Sequence, residues 1–366
     1  MTSELSSLCS YAKGKVSVDT LSKRNYVSTE NMMPNKGGIV DAGALPSAQY
    51  TQQYIKDDIL VSNIRPYFKK IWMADDDGGC SNDVLVFRAD RGCDSTFLYY
   101  ILANDAFFNY ASATSKGTKM PRGDKTAIMQ YKVPCFNYET QLRIGKLLRS
   151  IDDRIAVNKK INDNLQQQLF SLYENMATAS PCLKEYTLSN LCDFQEGYVN
   201  PPQTHPEYFD GEVKWLRAVD INESFIIETS RTLTKAGFES AKKSALLFEP
   251  NTIAISKSGT IGRLGIIADY MCGNRAVINI APHDTNMLAF IYCFLKSKQR
   301  EFPDMAVGSV QKNLYVSLLE PLSVSIPDNE SLTAFNAVGA SILGMIHNNC
   351  VENTDLANLR DTILPK

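Results

Sequence analysis

The sequence predicts an α+β fold in which two similar α+β units are separated by a long antiparallel two-helix coiled coil, with pseudo-two-fold symmetry. The first observation is an internal repeat: LSSLCSYAKG at Leu5 returns as LSNLCDFQEG at Leu188, about half the 366-residue chain later. The second is a mixture of short strand and helix patterns in each half. The third is an unbroken heptad pattern that closes each half.

The bulk composition is typical of a globular cytoplasmic protein. Hydrophobic residues make up 44% and charged residues 21% of the chain, and the net charge is −2. No apolar run approaches the ~18 residues that a bilayer requires, so no membrane contact is expected, and the N-terminus lacks signal-peptide features. Nine cysteines without a CxxC pair favour free thiols. Three scattered histidines predict no metal site, and no cofactor is expected.

The repeat continues along both halves and sets the predicted domain boundaries. DILVSNIRP at Asp58 resembles NTIAISKSGT at Asn251, and SKGTKMPRG at Ser115 matches AVGSVQKNL at Ala306. YKVP at Tyr131 matches SVSIP at Ser323. We therefore expect globular units over residues 1–136 and 181–327, and long helices over residues 137–180 and 328–366.

Short apolar segments predict the elements inside each unit. VLVF (84–87), TIAIS (252–256) and the strictly alternating LSVSI (322–326) are typical of strands. STFLYYILAND (95–105) and NMLAFIYCFLKS (286–297) are typical of buried helices. Glycine, proline and asparagine mark turns such as NKGG, DDDGG, NPPQ and KSGTIG. Each unit is expected to contain a twisted, largely antiparallel sheet.

The two heptad seams predict that the long helices pair. The first seam runs from Ile144 to Met176, and the second runs from Phe335 through Val338 and Met345 to Ile363. Polar residues interrupt both seams midway, and an antiparallel pair would bring them together as a layer that fixes register. The residues of this layer are Asn158, Asn162, Asn349 and Glu352. The alternative is that each helix packs only on its own globular unit.

The ordered motifs resemble the specificity subunit of type I restriction–modification enzymes. The stretches that carry this resemblance in the first half are YVSTENM (26–32), DILVSNIRPYFKK (58–70), KGTKMPRG (116–123) and YKVPCFNYETQLRIGKLLRSIDDRI (131–155). Those in the second half are EGYVNPPQTHPEYFDGEVKWLRAVDI (196–221), SKSGTIGRLGI (256–266) and the closing LRDTILPK. The chain departs from the family in two places: it stops where members often continue, and ETQ (139–141) is matched only by LTA (332–334).

The resemblance implies a non-catalytic, DNA-reading role. Each globular unit would be a target-recognition domain that reads one half of a split sequence in double-stranded DNA. The long helices would be the spacer and would dock two modification (methyltransferase) subunits, through which restriction subunits join. Adenine methylation and ATP-dependent cleavage would belong to those other subunits.

The candidate DNA contacts are polar and basic residues in loops beside strands. Arginine and lysine bind phosphates and guanine, and glutamine and asparagine pair with adenine. In the first unit the candidates are Arg65, Lys69, Lys70, Lys116, Thr118, Lys119 and Arg122. In the second they are Lys257, Ser258, Thr260, Arg263, Ser309, Gln311, Lys312 and Asn313. The alternative for each residue is a solvated charge or a turn cap.

Rival functions have weaker sequence support. NPPQ (200–203) has glutamine where amino-methyltransferases carry an aromatic residue, and no glycine-rich cofactor loop precedes it. Neither PD dipeptide (303–304, 327–328) is followed by the Glu-x-Lys of a nuclease, and ADDDGG (74–79) lacks the closing glutamate of a calcium loop. A two-headed coiled-coil adaptor that binds proteins, without DNA readout, stays the main alternative. The basic, hydroxyl-rich and amide-rich loops favour DNA.

Overall fold

The computed structural model describes residues 2–117, 119–179, 184–309 and 311–364. The chain forms two compact units. Unit 1 comprises Met1–Arg154 with Leu356–Lys366, and unit 2 comprises Ile155–Asp355. Each unit therefore contains a segment of both long helices.

Unit 1 is built from short strands, short helices and two segments of the long helices. Its strands are β1 Thr2–Glu4, β2 Cys9–Tyr11, β3 Lys15–Ser17, β4 Tyr26–Val27, β5 Tyr50–Tyr54, β6 Ile59–Ser62, β7 Ile71–Met73, β8 Gly78–Cys80, β9 Val84–Ala89 and β10 Lys132–Pro134. Its helices are α1 Ser95–Leu102, α2 Asp105–Ala113, α3 Lys125–Met129 and the start of α4, which spans Tyr138–Ala179. Single 3-10 turns span Leu5–Ser7, Val18–Thr20 and Pro66–Phe68.

Two four-stranded sheets form the framework of unit 1. The first has the order β2-β9-β6-β7, with every pair antiparallel, and its apolar side chains pack on α1 and α2. The second has the order β3-β5-β8-β4. The two glycines of the predicted DDDGG turn lie in strand β8 rather than in the turn. They pack so closely that a Cβ on Gly78 or Gly79 would overlap neighbouring atoms. The predicted helix over 95–105 is α1, which ends at Leu102. A separate helix, α2, begins at Asp105, where Asn104 Oδ1 accepts the Ala106 N–H at 2.9 Å as an N-cap.

Unit 2 repeats this plan with one five-stranded and one three-stranded sheet. Its strands are β11 Lys184–Thr187, β12 Cys192–Glu196, β13 Phe209–Leu216, β14 Phe225–Ile226, β15 Thr232–Leu233, β16 Ile253–Ser256, β17 Leu264–Ile267, β18 Cys272–Gly273, β19 Val277–Pro282 and β20 Ser323–Ile326. Its helices are α5 Lys235–Glu239, α6 Leu288–Lys298, α7 Phe302–Met305, α8 Val316–Leu319 and most of α9, which spans Asn329–Ile363. 3-10 turns span Leu188–Asn190, Pro206–Tyr208, Ala218–Asp220, Lys242–Ser244 and Thr285–Met287.

The main sheets of the two units follow the same strand order. In unit 2 the order is β12-β19-β16-β17-β14, so β12, β19, β16 and β17 correspond to β2, β9, β6 and β7. A two-stranded antiparallel ribbon joins the first and last strands of each unit, β1 with β10 and β11 with β20. Unit 2 differs by the extra strand β14 in its main sheet and by a second sheet of three strands, β15-β13-β18, which packs around the buried Trp215.

Within unit 2, α4 and α9 run antiparallel and pack against α6. The buried face of α9 comprises Phe335, Gly339, Ile342, Leu343 and Ile346. A Cβ on Gly339 would lie 2.6 Å from the Ala289 Cβ of α6 and 3.5 Å from Leu169 of α4, so glycine permits close helix packing here.

The predicted α9 seam is therefore only half buried. Val338 and Met345 each keep 48% of their surface exposed, and Leu359 keeps 51%. The buried residues recur with the 3.6-residue period of an α-helix, so the contact face drifts off a strict 3.5-residue seam. In α4, Leu172 is likewise exposed.

Candidate nucleic-acid interface

The unit 1 candidates lie on two adjacent loops. The first loop, 63–70, joins β6 to β7, and the second, 116–122, follows α2. The Arg65 N–H donates to the Pro121 carbonyl at 2.8 Å, and the Gly123 N–H donates to the Asn63 carbonyl at 3.1 Å. Reciprocal backbone bonds of 2.9 and 3.0 Å between Lys116 and Arg122 close the second loop. Backbone hydrogen bonds thus hold the two loops side by side.

Carboxylates and carbonyls fix most of the cations in these loops. Lys69 Nζ lies 2.7 Å from Asp105, which also pairs with Lys36 at 2.9 Å. Although partial burial acts to raise it, hydrogen bonds from Lys69 and Lys36 lower the pKa of Asp105. Lys70 Nζ donates to the Thr29 carbonyl at 2.6 Å.

The second loop holds its cations in the same way. Lys116 Nζ lies 2.5 Å from Asp124, and Arg122 lies 3.1 Å from Asp83. Lys119 is exposed and forms no hydrogen bond or ion pair with the described residues, and Thr118 lies outside them. The loop therefore presents positively charged side chains at the protein surface, and ion pairs to Asp124 and Asp83 position two of them.

Two polar groups at the foot of the first loop have no hydrogen-bond partner among the described residues. They are Asn63 Oδ1 and Arg65 Nε. Asn63 is only 7% exposed, and Arg65 has a left-handed backbone with φ of 49°. Buried polar atoms are normally satisfied, so these two are open to a ligand or to water.

The unit 2 candidates lie on two loops with the same connections. Loop 257–263 joins β16 to β17, and loop 307–313 follows α7. The Leu314 N–H donates to the Lys257 carbonyl at 2.9 Å, and Val307 and Asn313 exchange backbone bonds of 3.0 and 2.9 Å. The Ser256 hydroxyl donates to the Thr260 carbonyl and accepts the Arg263 N–H at 2.8 Å, which closes the first loop.

Lys257 is a mostly buried, paired cation. Its Nζ lies 2.9 Å from Glu196 Oε1, with the two side chains 13% and 19% exposed, and 4.8 Å from the centre of the Tyr315 ring. Ser258 and Arg263 are half-buried, while Thr260, Ser309, Gln311 and Lys312 are exposed. The Asn313 side chain donates to the Gln311 carbonyl at 3.1 Å.

Four exposed aromatic residues and one arginine beside these loops escaped the sequence analysis as candidate contacts. Tyr67 and Phe68 lie at the tip of loop 63–70, and Tyr198 and Tyr315 flank Lys257. Arg275 is exposed next to Ala276, whose carbonyl accepts the Lys257 N–H at 2.7 Å. In the sequence, each of these residues could have been found as an aromatic residue or arginine close to a candidate loop.

The four polar residues of the helix seams meet within unit 2. Asn158 Nδ2 donates to Glu352 Oε2 at 2.8 Å, and Asn349 Nδ2 donates to Asn162 Oδ1 at 2.8 Å. Asn158 and Asn162 are buried. The surrounding side chains are apolar, so the four polar residues form a buried polar layer within an apolar helix interface. These apolar side chains are Leu165 and Leu169 of α4 and Ile342, Leu343 and Ile346 of α9.

The closing LRDTILPK motif ties the end of α9 into unit 1. Arg360 Nη1 donates to Asp152 Oδ1 at 2.8 Å, and the Tyr100 hydroxyl donates to Asp152 Oδ2 at 2.6 Å. Burial and the bond to Asp152 raise the pKa of the Tyr100 hydroxyl, which therefore stays a donor. Leu364 packs on Tyr100 and Leu148.

Other kinds of site were sought throughout the described ranges. No cluster of three or more histidine, cysteine, aspartate or glutamate side chains suited to a metal occurs in them. Their eight cysteines are free thiols. Helices in those ranges are too short or too polar to cross a bilayer.

Comparisons with known proteins agree on one family. The family model described as the type I restriction modification DNA specificity domain matches residues 1–167 and again residues 183–354. The MjaIX specificity subunit of Methanocaldococcus jannaschii is 23% identical over 297 residues, which cover 75% of this chain and 68% of that protein. The HindI specificity subunit of Haemophilus influenzae is 25% identical over 170 residues, or 45% of this chain and 37% of that protein.

A solved structure has the same fold along the whole chain. It is the crystal structure of a type I restriction–modification system S subunit from M. genitalium, with a TM-score of 0.57 and 19% identity. The superposition covers 100% of this chain and 94% of that one.

Proposed function

The chain belongs to the family of type I restriction–modification DNA specificity domains, and from this premise we propose that it reads a two-part DNA target, one part with each unit. The chain is a non-catalytic specificity subunit. The recognition domains are proposed to be residues 1–136 and 181–327. Methylation and cleavage are proposed to reside in the subunits that bind it.

The repetition of one loop framework in both units carries this proposal. Each unit presents a loop between two adjacent antiparallel strands of its main sheet, β6–β7 or β16–β17, and a second, closed loop bonded to it through the backbone. The cations of these loops bind phosphates, and their amides and hydroxyls suit base edges. Because the framework repeats while the side chains differ, each unit is suited to a different half-site.

The long helices are proposed to be the spacer and the docking surface for two modification subunits. The polar layer of Asn158, Asn162, Asn349 and Glu352 supports a fixed antiparallel register, since slippage by one turn would bury unpaired amides. Val338 and Met345 are exposed seven residues apart on α9, a spacing suited to a partner helix. Restriction subunits would join through the modification subunits.

The decisive experiment is methylation mapping. The full chain is co-expressed with its modification subunits in a host without adenine methylation, and methylated adenines are located by sequencing. We expect a split motif with a constant gap. A continuous motif, or no methylation by an assembled complex, would contradict the proposal.

A gel shift separates DNA readout from the adaptor alternative. The chain is mixed with random duplex DNA, with and without modification subunits. An adaptor would assemble with its partners and leave the duplex mobility unchanged. A specificity subunit in its complex retards the duplex, and retardation weakens as salt rises because bound counterions are released.

A further inference from the structure

We infer that Tyr67 and Phe68 of unit 1 form an aromatic wedge that stacks into an opened base-pair step of the first half-site. This inference rests on the proposed function and adds a mode of contact to it. Apolar side chains that enter between base pairs unstack the step and kink the duplex. Nothing comparable occurs in the matching loop of unit 2, so the wedge would act on one half-site only.

The two rings stand out at the surface as a pair. Tyr67 is 51% and Phe68 39% exposed, although aromatic side chains bury well in cores. Their ring centres are 4.8 Å apart with the planes tilted by 54°. Two large rings exposed together at one tip form a compact apolar projection.

The backbone holds this projection rigidly. Tyr67 and Phe68 belong to the 3-10 turn Pro66–Phe68, which lies between two left-handed residues, Arg65 with φ of 49° and Lys69 with φ of 51°. Such conformations are unfavourable for residues other than glycine and persist where the surrounding structure enforces them.

Three backbone bonds supply that enforcement. The Asn35 N–H donates to the Phe68 carbonyl and the Lys36 N–H to the Lys69 carbonyl, both at 2.8 Å. On the other side, the Arg65 N–H donates to the Pro121 carbonyl at 2.8 Å. The tip is therefore fixed from both flanks, and ordering it on binding costs little further entropy.

Charge around the tip favours nucleic acid over an apolar protein partner. Lys36, Lys69 and Lys70 surround it, and Asp105 is the one carboxylate that pairs with any of them among the described residues. Lys70 Nζ lies 5.9 Å from the centre of the Phe68 ring. Such an arrangement suits nucleic acid, because the rings can stack on bases while the surrounding lysines contact the backbone phosphates.

The matching position in unit 2 lacks an aromatic side chain. Loop 257–263 carries Thr260 and Ile261 between the left-handed Gly259 and Gly262, at the place where unit 1 carries Pro66, Tyr67 and Phe68 between Arg65 and Lys69. The foot of the unit 1 loop also differs, since Asn63 Oδ1 and Arg65 Nε are buried without partners among the described residues. A base step opened by the wedge would bring polar groups within reach of these atoms.

Nick scanning of the duplex tests the inference. Duplexes that contain the mapped motif carry a single-strand nick at successive steps of each half-site, and affinity of the assembled complex is measured. A nick keeps every base but makes its step easier to kink. We expect on the order of tenfold tighter binding when the nick lies at one step of the first half-site, corresponding to relief of part of the unstacking cost.

The variant Tyr67→Ala/Phe68→Ala should abolish this gain, and Tyr50→Ala is the matched control. Tyr50 is a similarly exposed tyrosine of unit 1, at the start of β5 in the sheet β3-β5-β8-β4 and part of neither candidate loop. Melting temperature and complex assembly confirm that each variant is folded.

Each outcome is decisive for the wedge. If wild type and the double variant respond alike at every nick, the wedge is wrong while the two-part readout stands. If the wild-type complex shows no preference for the motif, the proposed function fails first and the wedge with it. A nick gain confined to the second half-site would also overturn the inference.

Discussion

Loop 63–70 of unit 1 and loop 257–263 of unit 2 share one framework and differ in nearly all their side chains. The Asn63 N–H donates to the Asp83 carbonyl at 2.8 Å, and the Lys257 N–H donates to the Ala276 carbonyl at 2.7 Å. At the other end, Ser62 and Ser256 donate backbone N–H groups to the last residue of their own loop at 3.1 and 2.9 Å. One loop then carries two exposed aromatic rings, and the other carries two glycines.

The comparison shows that matching backbone bonds hold both loops although most of their side chains differ. Asn63 and Lys257 occupy the same position, yet one is an amide with an unpartnered oxygen and the other a lysine paired with Glu196. A framework that tolerates such exchange can present new side chains without refolding. Each unit can therefore read its own base sequence.

Removal of charge from loop 116–122 is expected to have the largest effect. Lys116→Ala/Lys119→Ala/Arg122→Ala removes three cations, so the slope of log affinity against log salt should fall by up to about 3. Affinity should drop most strongly at low salt. The measurement is a titration of duplex DNA with the assembled complex at several salt concentrations.

A double change near β3 in unit 1, Lys13→Ala/Lys15→Ala, is the control. Both lysines are exposed and lie outside the candidate loops. If the triple variant keeps the wild-type slope, loop 116–122 does not contact phosphates and the comparison between the units loses its functional meaning.

The second prediction compares two equivalent glycines. A Cβ on Gly308, which has φ of 138°, would overlap the Gln311 carbonyl oxygen. A Cβ on Gly117, which has φ of 96°, would lie at an ordinary 3.6 Å from the Met120 oxygen. Gly308→Ala should cost about 2–3 kcal/mol locally and Gly117→Ala about 1 kcal/mol, since both strain the backbone but only the first also clashes.

Methylation mapping distinguishes the two glycine variants. Gly308→Ala should relax the motif in the second half-site and leave the first intact. Gly117→Ala should have a smaller effect, confined to the first. Equal relaxation of both half-sites by either variant would break the assignment of one unit to one half-site.

The sequence predicts the strands and helices more accurately than it predicts which side chains make contacts. VLVF, TIAIS and LSVSI became β9, β16 and β20 because short apolar or alternating segments have few other stable conformations. The seam of α9 was found, but periods of 3.5 and 3.6 residues are hard to separate over so few turns, so Val338 and Met345 were assigned to the wrong face.

The candidate loops were visible in the sequence, but their partners were not. Asp105 lies far along the chain from Lys36 and Lys69, and Glu196 far from Lys257, so only the folded chain reveals these pairs. Exposure of Tyr67 and Phe68 was equally hidden, because aromatic residues in a sequence predict burial.

The third prediction concerns the Lys257–Glu196 pair, which unit 1 lacks. Glu196→Gln leaves a mostly buried ammonium without its carboxylate, and a double-mutant cycle with Lys257→Met should give a coupling energy of about 1–2 kcal/mol. Asn63→Ala should lower the stability of the chain less than Glu196→Gln does, because Asn63 Oδ1 makes no hydrogen bond among the described residues. Thermal unfolding of the full chain measures all four variants. Zero coupling would mean that Lys257 is held by the loop backbone alone.

The smallest effect is expected for the acid that holds two lysines beside the aromatic tip. Asp105→Asn should cost less than about 1 kcal/mol, because Asp105 is half exposed and solvent screens the pair. It should slightly strengthen DNA binding, since one negative charge near the loop is lost. No carboxylate bridges two lysines at loop 257–263 in the described residues, which makes this a property of unit 1.

The pH dependence separates the ion pairs of Asp105 from its role in the first turn of α2. Hydrogen bonds from Lys69 and Lys36 outweigh partial burial and lower the pKa of Asp105 in the folded state, so folding is favoured while the carboxylate is ionised. The stability difference between wild type and Asp105→Asn should be full above about pH 4, the unfolded value, and disappear as pH falls through the lowered value. Melting temperatures from pH 7 downward test this, with exposed Asp41→Asn as control. A difference that stays constant with pH would show that the asparagine changes helix capping rather than charge, and that Lys36 and Lys69 are positioned without Asp105.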